Sequence, residues 1–387
     1  MISYEILILG NVKDEQVAVL SATLREIISD FGLSIGSDVE IRTRDAVENR
    51  DRHVAAAAIY FGGPNNPDED IARTLSFHSI PIIPVVDSNS DFGVSVPHFL
   101  HQFNGYRMRD DDPAMIEIST ALLECIGLVR PLRRVFISYK RTESRVAAAQ
   151  LHDLISARGY DVFLDTHDIR PGEPFQDILW HRLCDSDLLI MLDTPLYFES
   201  KWTRQEIGRA RAKEIHVLRL VWPEHKPNRM TEFAETLYLE SQDFGSADGS
   251  INAQRCDEII LAVERLRSKS IASRYISITG KLRAEIAKIG ATIESVGANR
   301  TVAIKLEDGR RIWAYPIVGI PSAEILNEIS VRARMAYASG TPVLIYDHVG
   351  IRDRWNEHLA WLDENIRSVR SIKVSEAAWQ LVELGEG

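Results

Sequence analysis

A chain of 387 residues is too long for one ordinary core, and at roughly 150 residues per domain it divides into two or three. Its 45% hydrophobic and 26% charged residues are those of packed globular domains. Lys+Arg number 45 against 56 for Asp+Glu, and the formal charge of -11 gives no general attraction to a phosphate backbone or an anionic membrane, so neither nucleic acid nor a membrane is an expected partner.

Within that acidic field, Arg130, Arg133, Arg134, Lys140 and Arg141 form a local basic cluster able to hold a small phosphorylated ligand. The cysteines, Cys125, Cys184 and Cys256, are far apart and are read as buried thiols of a reducing compartment, with no metal centre. The opening Met1-Ile2-Ser3-Tyr4-Glu5 lacks the basic start of a secretory leader, and no apolar run approaches the ~20 residues of a membrane span. A cytoplasmic protein is expected.

Residues 1–130 alternate strand-like runs, Tyr4 to Leu9, Ala55 to Phe61 and Ile80 to Val86, with a helical pattern from Glu15 to Phe31. This predicts an α/β layer with a parallel sheet. Its third run ends in Gly62-Gly63-Pro64 and lacks the carboxylate that a phosphoacceptor needs. Gly62 to Pro67 also lacks a Gly-Lys-Ser/Thr ending, and Asp68-Glu69-Asp70 reads as an acidic helix start. His98 and His101, three apart, have no third ligand nearby.

Pro131 among basic residues marks the first boundary, and the middle domain is assigned residues 131–272. Strand-like runs at 135–139, 161–165, 187–192, 216–222 and 236–240 alternate with helical stretches at 144–157, 174–184, 201–213 and 254–267. The expectation is a flavodoxin-like parallel sheet of order 2-1-3-4-5. A third domain of α/β or α+β type, residues 273–387, carries a helix at 281–290 and a hairpin of Thr301–Leu306 with Arg311–Tyr315 turning at Asp308-Gly309. Helices from Ser322 and Asp353 and a strand at Pro342–Tyr346 follow, with Trp313, Trp355, Trp361 and Trp379 read as core.

In an open parallel sheet, ligands sit beyond the strand ends where the order reverses, here between strands one and three. Tyr139, Lys140 and Arg141 end the first strand, and Asp193-Thr194 end the third. The next helix begins at a capping Ser200, and Trp202 and Glu206, four apart, share one face. An indole, one acid and two cations suit a ligand with an aromatic group, a sugar and phosphates.

Three motifs recur in a known order: Phe136-Ile137-Ser138-Tyr139-Lys140-Arg141; a long loop after Val162-Phe163-Leu164-Asp165 holding Arg170-Pro171-Gly172; and a Ser200, Trp202, Glu206 helix start. Together they resemble a Toll/interleukin-1 receptor (TIR) domain over about residues 133–270. Some members cleave the nicotinamide–ribose bond of NAD; others are adaptors without catalysis.

The resemblance implies Glu206 as the catalytic carboxylate and places Phe136, Tyr139, Lys140, Arg141, Phe163 and Trp202 near the substrate. It puts Asp165, Arg170, Pro171, Gly172 and Glu173 on a loop that orders on assembly. It also implies NAD as substrate rather than cofactor, self-association through TIR domains, a role in antiviral defence, and an activating protein or ligand at the flanking domains. The first domain is then a degenerate TIR-like or receiver-like layer. The competing expectation is an adaptor that docks through the Asp165–Phe175 loop.

Overall fold

The computed structural model describes residues 2–44, 50, 54–108, 114–164, 175–245, 249–336 and 340–384. The chain divides into two units, one of Met1–Pro131 with Val296–Arg300 and one of Leu132–Ser295 with Thr301–Gly387.

In the first unit, the apolar runs form strands because both faces of the sheet are covered, which leaves almost no alternation. Its elements are β1 (Tyr4–Gly10), α1 (Asp14–Asp30), β2 (Val39–Thr43), β3 (Ala55–Phe61), α2 (Glu69–Phe77), β4 (Ile82–Asp87), α3 (Phe92–Ser95), β5 (Tyr106–Met108) and α4 (Ala114–Cys125). They build a sheet of order β2-β1-β3-β4-β5, parallel throughout. Ile6, Leu7, Ile8, Ala57, Ala58, Ile59 and Tyr60 are buried at its centre. The acidic helix start is present, with Asp68 as the N-cap of α2. The rings of His98 and His101 lie 5.1 Å apart, and no group of metal-ligating side chains forms among the described residues.

The second unit opens with β6 (Arg134–Ser138), α5 (Arg141–Ser156), β7 (Asp161–Leu164), α6 (Phe175–Asp185), β8 (Leu188–Asp193), α7 (Lys201–Ala212), β9 (His216–Val221) and β10 (Glu235–Tyr238). The strands lie in the order β10-β9-β8-β6-β7, all parallel, so the expected order 2-1-3-4-5 is found. Val135 and Ile137 face a core closed by α5, while Phe136 faces a second core with α6 and α7.

Expectation and structure part at the next helix. Separate helices at 254–267 and 281–290 were expected, but a single helix, α8, runs over Ala253–Ala287. No proline interrupts it, and one glycine, Gly280, costs only about 1 kcal/mol. The expected boundary at 272 therefore falls inside α8. Ion pairs pin this helix to the sheet, Arg267 to Asp187 at 2.9 Å, both fully buried, and Arg133 to Glu264 at 2.8 Å.

Beyond it come β11 (Thr292–Val296), β12 (Val302–Lys305), β13 (Arg311–Pro316), α9 (Ala323–Met335), β14 (Val343–Tyr346), α10 (Asp353–Asn365), β15 (Arg370–Lys373) and α11 (Ala377–Glu383). The third sheet is ordered β11-β12-β13-β14-β15; β12 and β13 form the expected antiparallel hairpin, and β13, β14 and β15 pair in parallel. Gly309 turns that hairpin at φ +89°.

This layer packs on the ends of α6 and α7. Cys184 belongs to its core cluster, the Ile320 amide donates to Asp185 Oδ1 at 3.0 Å, and Lys213 pairs with Asp347 at 3.3 Å. Two expectations about burial fail. Cys125 is exposed, and Trp361 and Trp379 are 57% and 52% exposed, because the buried faces of α10 and α11 are formed by Leu359 and Leu362 and by Ala377 and Leu381 instead. No helix among the described residues is long and apolar enough to cross a membrane.

Candidate active site

The tips of β6 and β8 meet where the strand order reverses. Along β6 the side chains alternate, so Ser138 continues the face of Phe136, toward α6 and α7. A hydroxyl at the end of an apolar face needs a polar partner, and α7 supplies it.

Ser200 caps α7, its hydroxyl accepting from the Trp202 amide at 3.3 Å. Thr203, Glu206, Ile207 and Ala210 then form the buried face at helical spacing. Glu206 is only 4% exposed. A buried carboxylate is tolerated only when hydrogen-bonded. Ser138 Oγ makes a short hydrogen bond to Glu206 Oε2 and lies 2.5 Å from the Tyr197 hydroxyl.

Ser138 has one proton, and it goes to the carboxylate, so Tyr197 is the donor to Ser138 Oγ. Burial, and then the charge of Glu206, push the Tyr197 phenol far above its ordinary range, which keeps that proton in place. Tyr197 is itself fixed, since the Thr203 hydroxyl donates to its carbonyl at 2.6 Å. The result is a Tyr–Ser–Glu chain that orients one carboxylate at the crevice.

Next to it, the Leu196 amide donates to Glu143 Oε2 at 3.0 Å and joins the loop after β8 to the first turn of α5. Asp193, at the tip of β8, is fully buried and contacts His225 Nε2 at 3.2 Å. Burial raises its pKa and His225 opposes the rise. Asp193 Oδ2 and Thr194 Oγ1 are buried without a hydrogen-bond partner among the described residues. Buried polar atoms of this kind, at strand ends, are features of functional crevices.

The residues expected at the site are thus distributed unevenly. Glu206 lies with Ser138 at the tip of β6, Trp202 is 38% exposed on the first turn of α7, Lys140 occupies the N-cap position of α5 and Arg141 begins it. Tyr139 packs toward the opposite core, against the α5 side of the sheet. Phe136 and Phe163 lie with their rings 5.2 Å apart, and both are buried in the core beneath α6 and α7. The loop residues Asp165, Arg170, Pro171, Gly172 and Glu173 lie outside the described residues.

Sequence reasoning gave no role to Ser138, Tyr197 or His225. A signal for Ser138 was present, a hydroxyl on the same face as Phe136 in an otherwise apolar strand. Tyr197 and His225 come from loops whose path the sequence does not specify. Chemically, a buried carboxylate oriented by a hydroxyl stabilises positive charge that develops against it.

No curated protein matches the chain. Among solved structures, proximal thread matrix protein 1 from the mussel byssus, in its crystal form 2, is similar over 69% of this chain and 96% of its own, with 9% identity and a TM-score of 0.19, a likeness that carries no argument. The family model described as the TIR domain matches residues 135–250, the stretch that runs from β6 beyond β10 and contains Ser138, Tyr197 and Glu206; these residues form a TIR domain.

Proposed function

We propose that the TIR domain cleaves the nicotinamide–ribose bond of NAD, with Glu206 as its catalytic carboxylate, and that activity requires self-association, with antiviral defence as its setting. A TIR domain supports a signalling or NAD-cleaving role in general. The observation that carries the enzymatic reading is the orientation of a buried Glu206 by Ser138 at the crevice between the first and third strands.

The bond from C1′ of the ribose to the pyridinium nitrogen breaks, and its electron pair leaves with nicotinamide, which departs neutral without protonation. The ribosyl cation left behind is stabilised by the Glu206 carboxylate. Water adds to C1′ and loses a proton to give ADP-ribose, or a nucleophile on the adenine closes a cyclic product. In this reading Lys140 and Arg141, which follow β6 at the start of α5, meet the phosphates.

A second reading, an adaptor acting through TIR–TIR contacts, is favoured by one feature: at 4% exposure and bonded to Ser138, Glu206 also suits a purely structural role. Nicotinamide release from NAD, measured over a range of protein concentration for wild type and Glu206→Gln, decides between them. Release that rises more than linearly with concentration and disappears in the variant supports the enzyme. Equal turnover in both proteins removes Glu206 from catalysis, and no release by the wild type at any concentration favours the adaptor.

A further inference from the structure

The third sheet ends at β15, and beside it a cleft opens between α10 and α11. Its volume, about 560 Å³, is within the range of small-ligand sites, roughly 300–1,000 Å³. None of its lining residues belongs to the crevice around Glu206.

The cations in the cleft already have partners. Arg370 pairs with Asp363 at 2.7 Å, Lys373 pairs with Glu376 at 3.1 Å, and Glu383 adds a further carboxylate. A phosphate or carboxylate ligand would have to break one of these pairs while facing the remaining acids. The lining therefore selects against anions.

It does offer flat apolar surface and neutral hydrogen-bonding groups. Trp379 presents a half-exposed indole on α11, a cost in exposed apolar surface that stacking on a ligand would recover. Tyr346, at the end of β14, has its phenol pushed up to about 12 by burial and by the carboxylates of Glu376 and Asp363, so it remains a donor. Asn356 donates through Nδ2 to the Ile351 carbonyl at 3.3 Å, while its Oδ1 is buried with no hydrogen-bond partner among the described residues. One aromatic face, one donor and one unsatisfied acceptor describe the ligand.

We infer that this cleft binds a flat, uncharged nitrogen heterocycle with an amino or amide edge, stacked on Trp379 and hydrogen-bonded to Asn356 and Tyr346. A nucleoside and nicotinamide share this chemistry, and the two are told apart by testing both. The site stands independently of NAD cleavage.

The test is calorimetric titration of the full chain with adenosine and with nicotinamide, each beside its anionic counterpart, AMP or nicotinic acid. At least one neutral probe is expected to bind, and its anionic counterpart to bind at least tenfold more weakly. Trp379→Ala should weaken the neutral probe tenfold or more, as loss of a stacking platform does, and Trp379→Phe should restore most of the affinity. Glu206→Gln should leave this binding unchanged, which separates it from occupation of the TIR crevice. The inference is overturned if neither neutral probe binds, if Trp379→Ala binds as wild type, or if the anions bind as tightly as the neutral probes.

Discussion

The first and second sheets share one strand order, and each brings an acidic side chain from behind its third strand to the tip of its first. In the first unit that group is Asp68, which accepts the Gly10 amide at 2.9 Å and pairs with Arg44 at 2.6 Å. In the TIR domain it is Glu206, held by the Ser138 hydroxyl. Around Asp68 the crevice is closed by backbone bonds: Asn11 N to the Phe61 carbonyl at 2.7 Å, Gly62 N to Val85 at 2.7 Å and Gly63 N to Ser95 at 2.8 Å. The Arg44 guanidinium and the Gly10 amide hold Asp68 as a fastening, whereas the Ser138 hydroxyl donates to Glu206 and orients it. Topology fixes where a crevice lies; the partners of its carboxylate decide what that crevice can do.

The comparison breaks most sharply by substitution of the two acids. Glu206→Gln is expected to lower NAD turnover by at least about 100-fold, as loss of a charged transition-state partner does, whereas Asp68→Asn should leave turnover unchanged and cost only about 1–2 kcal/mol in urea unfolding. If Asp68→Asn lowered turnover as far, the contrast between the crevices would be wrong.

Glycines sharpen the same contrast. Gly10 has φ +87°, and an added Cβ would meet the Phe61 carbonyl oxygen at 2.1 Å; Gly159 in the TIR domain has φ +81° with nothing within 4 Å. Gly10→Ala should destabilise the first unit by about 3 kcal/mol or more, and Gly159→Ala should cost about 1 kcal/mol, the backbone term alone. Chemical denaturation followed by fluorescence reads both.

Ser138→Ala is expected to act on both activity and stability. With one donor to a buried carboxylate removed, unfolding free energy should fall by about 1–2 kcal/mol. Turnover should fall about tenfold, and Ser138→Thr, which keeps the hydroxyl, should recover part of it. Unchanged turnover in Ser138→Ala would mean that orientation by Ser138 does not matter to the chemistry.

A last effect concerns acid. His181 on α6 has its pKa pushed down from 6.5 to about 4, first by burial and then by Arg352, and its ring lies 5.2 Å from Trp355 of the C-terminal layer. Between about pH 6.5 and 4 the folded imidazole binds fewer protons than the unfolded one, so stability is lost as pH falls through that window and is level above it. His181→Phe should flatten this slope for the second unit; a slope unchanged by the substitution would place the acid sensitivity elsewhere.

The sequence by itself determined the central sheet almost completely. Apolar runs at 135–139, 161–165, 187–192, 216–222 and 236–240 became β6 to β10 within a residue or two, and all but the half-exposed edge strand β10 did so because buried strands write their pattern directly into the chain. The cap at Ser200 and the four-residue spacing of Trp202 and Glu206 were legible for the same local reason. Four other edge strands were not, and β2, β5, β11 and β15 passed unnoticed because few residues and half-burial leave a weak pattern. Tertiary structure alone decided that α8 continues through residue 272, where buried pairs such as Arg267 with Asp187 override a polar stretch. It alone turned Phe136 and Phe163 into core and set Ser138 and Tyr197 beside Glu206. Pairings between side chains 59 and 68 residues apart arise from how strands and loops pack, and no local pattern encodes them.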